Sequence, residues 1–259
     1  MSEDENIPIE ETKDFLTTFA RGLSVIKSFD RHNRSMTLTE VAHKNDMSRA
    51  SARRFLLTLK ALGYVSLKDK KFSLTAKVLE LGRSFLETFN LRETIIPLME
   101  EIAEKFDETC SAAILDGVEI VYIARMRMGS TPLSLQVGER LPAYATSAGR
   151  VLLSGLPQDQ LNNLLEKSEM KQLTPNTICD PEKLREEINK VRRQKYSIVN
   201  QELTMGLCAM AVPVYSRDGK IAFCLNISMH SSRVSDDEII NKYIPELQKA
   251  SGQISKDLP

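Results

Sequence analysis

Three arginines fall within six residues, Arg49, Arg53 and Arg54, in the stretch DMSRASARRFLLTLKALGYVSLKDKKFSLT (46–75), and Lys70 and Lys71 follow. A guanidinium binds phosphate and guanine edges in a fork, and an ammonium meets phosphate as a point charge. A second group of residues lies in LPAYATSAGRVLL (141–153). There small residues lead into Thr146-Ser147-Ala148-Gly149, and a helix starting at that point offers an anion free N–H groups and a positive dipole end. Asn226 and Ser228 alternate with Phe223, Leu225 and Ile227, so both face one side of a strand, and Arg125 ends the run Val121–Ala124. Brought together, these groups would hold a small carboxylate. A plain helix cap beside a half-exposed strand has the same spacing.

No pattern argues for catalysis. Ser147 sits in TSAGR and not in a GxSxG elbow, and His230 in MHSSR has no partner readable from sequence. No P-loop is present and no GxGxxG follows a strand, so neither a catalytic residue nor a cofactor is expected. Cys110, Cys179, Cys208 and Cys224 form no CxxC knuckle, and with three histidines in the chain no metal site is expected. Cys208 and Cys224 lie in apolar segments and read as core, with a thiol-based redox switch as the alternative. An enzyme with a basic accessory domain is a further alternative. The start, MSEDENIPIEETKD, lacks the basic and apolar parts of a secretory leader, and no run approaches the roughly 18 apolar residues of a membrane span. A cytoplasmic protein without membrane contact is expected.

The elements that must position these groups divide the chain by charge. Net charge is zero over 259 residues, but residues 1–14 carry −5, residues 15–80 carry +8 and residues 81–259 carry −3. Such a length suggests two domains, and a basic segment joined to a mildly acidic one suggests a polyanion-binding module attached to something else. Residues 1–14 read as a disordered acidic tail. Phe15, Phe19, Leu23, Ile26 and Phe29 form a helical stripe ending near Asp30. Thr37 to Glu40 has capping-box spacing for a short helix to Lys44 that buries Leu38, Val41 and Ala42. After the turn Asn45-Asp46-Met47, Ser48 caps a third helix with Ala52, Phe55, Leu56, Leu59 and Leu62 inward and Arg49, Ala50, Arg53, Arg54 and Lys60 outward. Gly63 stops it, and strands Tyr64–Leu67 and Phe72–Leu74 enclose the tip Lys68-Asp69-Lys70-Lys71. Residues 15–75 therefore read as a winged helix-turn-helix with its arginines on the helix that enters the major groove. Its expected contacts with double-stranded operator DNA are Thr39, Ser48, Arg49, Ala50, Ser51, Arg53 and Arg54, with Lys70 and Lys71 on the backbone.

Residues 76–106 read as linker helices, with the stripe Val78, Leu81, Phe85 and Phe89, a break at Asn90-Leu91, and Pro97 opening a helix that carries Leu98, Ile102 and Phe106. Their apolar side chains call for a second copy of the chain or for packing on the chain's own domain. From 107 to 259 an α+β domain around an antiparallel sheet is expected. Strands are placed at 109–115, 119–127, 133–137, 196–200, 209–215 and 221–228, with the hairpin dipeptide Asp116-Gly117. Helices are placed at 161–167 and 181–194, and a last one, capped by Ser235, runs to about 256.

The chain resembles the IclR family of bacterial transcription regulators, and within it the branch governing aromatic-acid catabolism through the β-ketoadipate pathway. The resemblance is carried by FARGLSVIKSFD (19–30), ASARRFLLTLKALGY (50–64), VYIAR (121–125), GERLPAYATSAGRVLL (138–153), QELTMGLCAMAVPVY (201–215) and NISMHSSRVS (226–235). It implies a winged helix-turn-helix, a linker helix and a GAF-like effector domain, assembled as a homodimer or dimer of dimers. It also implies an effector loop at Tyr144, Ser147, Ala148 and Gly149, strand contacts at Asn226 and Ser228, and an apolar wall near Leu133. Where many relatives carry an acidic pair this chain has Asn200-Gln201-Glu202, and where many carry a pocket cysteine it has Ala209, with Cys208 one place earlier. The implied function is activation of aromatic-acid genes, with RNA polymerase as a partner, on binding protocatechuate, 4-hydroxybenzoate or a similar acid. A keto-diacid such as β-ketoadipate is the alternative effector.

Overall fold

The computed structural model describes residues 12–87, 94–129 and 135–258. The chain divides after Phe85 into two compact units. In the first, helix α1 (Thr17–Lys27) is followed by the two-residue strand β1 (Met36–Thr37), α2 (Leu38–Lys44), α3 (Arg49–Ala61) and the hairpin β2 (Val65–Lys68) and β3 (Lys71–Leu74). The local signals produce these boundaries. Thr37 and Glu40 close the expected capping box, with Thr37 N–H donating to Glu40 Oε2 at 2.7 Å. Ser48 Oγ accepts from Ser51 N–H at 3.2 Å and opens α3.

Val25, Val41, Ala52, Leu56, Val65 and Phe72 form the centre of the first core. Two expectations fail here. On α1 the core side is Val25, Ile26 and Phe29, whereas Phe19 and Leu23 face outward, because Gly22, which packs on Phe55, sets the buried stripe one position away. Leu62, read as inward, is exposed where α3 ends. The wing also has a third strand, since Met36–Thr37 pairs with Phe72–Lys71; two residues are too few to show a period.

Helix α4 (Glu80–Glu87) follows a 3-10 turn at Ala76–Leu79. Phe89 and the break at Asn90-Leu91 lie outside the described residues. Pro97 stands in the first turn of α5 (Ile96–Phe106), which buries Met99, Ile102, Ala103 and Phe106 in the core of the second unit.

That unit is built on six antiparallel strands in the order β6-β5-β4-β9-β8-β7: β4 (Thr109–Asp116), β5 (Glu119–Met126), β6 (Arg140–Pro142), β7 (Ser197–Asn200), β8 (Leu207–Tyr215) and β9 (Ile221–His230). On one face α5 and the terminal helix pack over Met210, Val212, Leu225 and Ile227. On the other, α6 (Ser147–Ser154), α7 (Gln158–Lys167) and α8 (Pro181–Gln194) pack over Ala113, Ile120 and Ala211. The period-two alternation of β8 and β9 sorts side chains between these two cores. Asp180 caps α8 by accepting from Glu182 and Lys183 N–H. The terminal helical run begins with α9 (Asp236–Glu238), capped by Ser235, and continues into α10 (Ile244–Asp257). Between them it widens into a π turn at Ile239–Tyr243, just ahead of Pro245, which has no N–H to continue an α ladder.

The strand expected at Leu133–Val137 is corrected. Leu133 and Ser134 lie outside the described residues, and 135–137 are not a strand. The chain turns at Gly138 (φ +87), Gln136 N–H donates to Glu139 Oε2, and the edge strand is β6, pairing Leu141 with Ile120. No helix among the described residues is long and apolar enough to cross a membrane, and none of their His, Cys, Asp and Glu side chains cluster as a metal site.

Candidate functional site

Two sites emerge, one in each unit. In the first, α3 buries Ala52, Leu56 and Leu59 and leaves Arg49, Ala50, Arg53, Arg54 and Lys60 on its exposed side. Arg49, Arg53 and Arg54 have no ion pair among the described residues. Ser48 and Thr39 are exposed and Ser51 is half-buried; Ser48 Oγ also donates to Ser51 Oγ at 3.1 Å, so the two hydroxyls fasten the first turn of α3. At the hairpin tip Asp69 (φ +50) and Lys70 (φ +62) both adopt the left-handed conformation of a tight two-residue turn, which leaves Lys68, Lys70 and Lys71 exposed.

In the second unit a cavity of about 20 Å³ lies between the sheet and the start of α6. Arg125, Ser147, Ala148, Asn226 and Ser228, all expected from the sequence, line it. Strand register brings the polar members into a row: Ser111 on β4 pairs with Arg125 on one side and Asn226 on the other. Arg125 donates from Nη1 to Ser111 Oγ at 3.2 Å and stands 5.5 Å from the centre of the Tyr122 ring. Burial lowers its pKa, with the Tyr122 hydroxyl opposing, and burial pushes Tyr122 up to about 12, so the phenol stays neutral. Asn226 Oδ1 is buried and accepts no hydrogen bond among the described residues. Thr146 takes Gly149 N–H at 3.0 Å as the N-cap of α6, and the amides of Ser147 and Ala148 that follow have no partner within the helix.

Two expected residues are elsewhere. The Tyr144 hydroxyl donates to Lys171 O at 2.9 Å and accepts from Lys171 N–H at 3.0 Å, and the side chain does not line the cavity. Gly149 makes room for the chain itself, since a Cβ there would lie 2.1 Å from Ala143 O. Leu133 lies outside the described residues. Sequence reading missed Tyr122, which lines the cavity, and Ser111, which accepts from Arg125 without itself lining it, although Thr109 and Ser111 alternate with apolar residues as Asn226 and Ser228 do. It also missed the ion pair of Arg150 Nη2 with Glu202 Oε2, at 2.5 Å and buried, between residues 52 apart. No local signal could have found it. Burial pushes the Cys208 thiol up to about 11 and that of Cys224 to about 12, which leaves no thiolate for a redox switch near neutral pH.

A winged helix-turn-helix whose basic face has no ion pair among the described residues, followed by an α+β domain enclosing a largely apolar cavity with a few polar groups, is the architecture of a ligand-responsive DNA-binding protein. The chain matches the IclR helix-turn-helix domain over residues 18–68 and the bacterial transcriptional regulator IclR C-terminal domain over residues 83–256, and it belongs to the IclR family. It is 38% identical to the Pca regulon regulatory protein of Pseudomonas putida, over 95% of this chain and 85% of that one. It is 32% identical to the p-hydroxybenzoate hydroxylase transcriptional activator of Acinetobacter baylyi, over 94% of this chain and 92% of that one. A double mutant of the PobR inducer-binding domain from Acinetobacter, solved with 3-hydroxybenzoic acid, aligns with 31% identity and a TM-score of 0.58 over 61% of this chain and 94% of that one. The chain is a transcription regulator of this family and not an enzyme.

Proposed function

We propose that this regulator controls aromatic-acid or β-ketoadipate pathway genes, as an activator, on binding a small aromatic carboxylate in the second unit. The observation that carries the reading is the row Arg125-Ser111-Asn226, half-buried at Arg125 and buried at the other two, beside the start of α6. It supplies a cation, an acceptor-seeking N-terminus and an amide oxygen awaiting a donor, which match a carboxylate and a ring hydroxyl. Ser147, Ala148 and Ser228 would complete the contacts. The relatives named for the Pca regulon and for p-hydroxybenzoate hydroxylase support the pathway.

On the DNA side, Arg49, Arg53 and Arg54 would enter the major groove with Thr39, Ser48, Ala50 and Ser51 beside the backbone, while Lys70 and Lys71 touch flanking phosphates. A homodimer or dimer of dimers fits the exposed apolar side chains Phe19, Leu79 and Phe85, and RNA polymerase would be the partner in activation. Calorimetry against protocatechuate, 4-hydroxybenzoate and β-ketoadipate tests the effector. One of the aromatic acids should bind, and Arg125→Met should weaken it by about 2–3 kcal/mol through loss of a charge-assisted bond. Binding of β-ketoadipate alone would replace the aromatic assignment.

A further inference from the structure

A cavity of about 20 Å³ admits one water-sized body, so a ring-bearing acid enters only where a wall can give way. Two walls are held firmly by backbone. Tyr122, Arg125, Asn226 and Ser228 belong to paired strands in the sheet. The start of α6 is pressed against Ala143, with no space for a side chain at position 149. Two leucines outside strand and helix complete the lining: Leu135, ahead of β6, and Leu203, carried on the irregular turn at 201–206 between β7 and β8.

That turn is fastened from outside. Arg150, on α6, donates to Glu202 Oε2, which also accepts from Ile178 N–H at 3.2 Å. Thr174 Oγ1 donates to Gln201 O and Thr177 Oγ1 to Glu202 O, each at 2.6 Å. Thr174 N–H in turn donates to Thr177 Oγ1 at 2.8 Å. The segment carrying both threonines is tied back beside the cavity through Lys171 and the Tyr144 hydroxyl. None of Arg150, Glu202, Thr174 and Thr177 lines the cavity, yet together they clasp the turn that carries Leu203 against it.

We propose that these four are positioning residues that set the size of acid the cavity admits by holding Leu203 against it. This rests on the effector reading above. The structural alternative is that they stabilise the fold and have no influence on ligand size.

The test compares binding of 4-hydroxybenzoate and 6-hydroxy-2-naphthoate, by calorimetry on the full chain, for wild type, Thr177→Val, Glu202→Gln and Leu203→Ala. Removing a hydroxyl or a charge at constant size loosens the turn without leaving Arg150 facing an empty space. Should Glu202→Gln fail to fold, Thr177→Val decides. The affinity ratio should move toward the naphthoate by roughly tenfold in the clasp variants, and at least as far in Leu203→Ala. A purely structural role lowers the unfolding midpoint and leaves the ratio where it was, and that result overturns the proposal. A shift in Leu203→Ala alone keeps the wall and overturns the clasp. Wild-type protein that binds neither acid overturns the aromatic reading itself, and the proposal with it.

Discussion

Arg53 and Arg150 share one chemistry and stand in opposite settings. Arg150 is 2% exposed and its charge is spent on Glu202. Arg53 lies on the open side of α3 with no carboxylate beside it among the described residues, so at the proposed DNA interface it would exchange water for phosphate oxygens or a base edge without breaking an ion pair seen among those residues. If Arg53 reads a base, Arg53→Ala should weaken operator binding by about 1–3 kcal/mol and relax sequence preference at one position. Fluorescence anisotropy with operator and scrambled duplexes separates the two roles. Equal losses on both duplexes would assign Arg53 to phosphate, and no loss on either would remove it from the interface.

At the scale of elements, the hairpin joining β2 to β3 combines a conformational cost with a charge. Lys70 at φ +62 occupies a region where a Cβ crowds the following carbonyl, and glycine would relieve it. Lys70→Gly should raise the stability of the winged unit by about 0.5–1 kcal/mol in thermal unfolding. It should also lower the slope of log K against log salt by about 1, as expected for one lost phosphate contact. An unchanged slope would take Lys70 off the DNA backbone while leaving the turn argument standing. Elements written in neighbouring residues were legible in this way: the caps at Thr37, Ser48 and Ser235, the hairpin at Asp116-Gly117, and the shared face of Asn226 and Ser228. What was not legible depends on distant partners. Strand β1 exists because Met36 meets Phe72, β6 because Leu141 meets Ile120, and Glu202 is buried because Arg150 is there to receive it. The α1 stripe misled in its first half because Phe19 and Leu23 keep helical spacing with Phe15, whereas the core of this unit takes Val25 together with Ile26 and Phe29 from the stripe's end.

For the whole molecule, the question is how the proposed acid in the second unit would alter DNA binding by the first. An effector shifts an equilibrium only by the difference in its affinity for two states, so the two functions are separable by a change that blocks the cavity and touches nothing on α3. Ser147 offers that change: it is 1% exposed, lines the cavity, and begins α6, where a leucine is tolerated by the helix. A leucine side chain overfills a space of about 20 Å³ and would exclude the proposed acid. Ser147→Leu should therefore abolish the heat of acid binding and the effector-dependent change at the promoter. Acid-free operator affinity should stay within about twofold, a shift of under 0.5 kcal/mol. Calorimetry, a promoter reporter and anisotropy read these three quantities. A retained response would move the effector site away from α6. A parallel loss of acid and operator binding, with circular dichroism unchanged, would mean that the cavity sets the DNA-competent state even when empty, and Ser147 would then belong to the coupling as well as to the site.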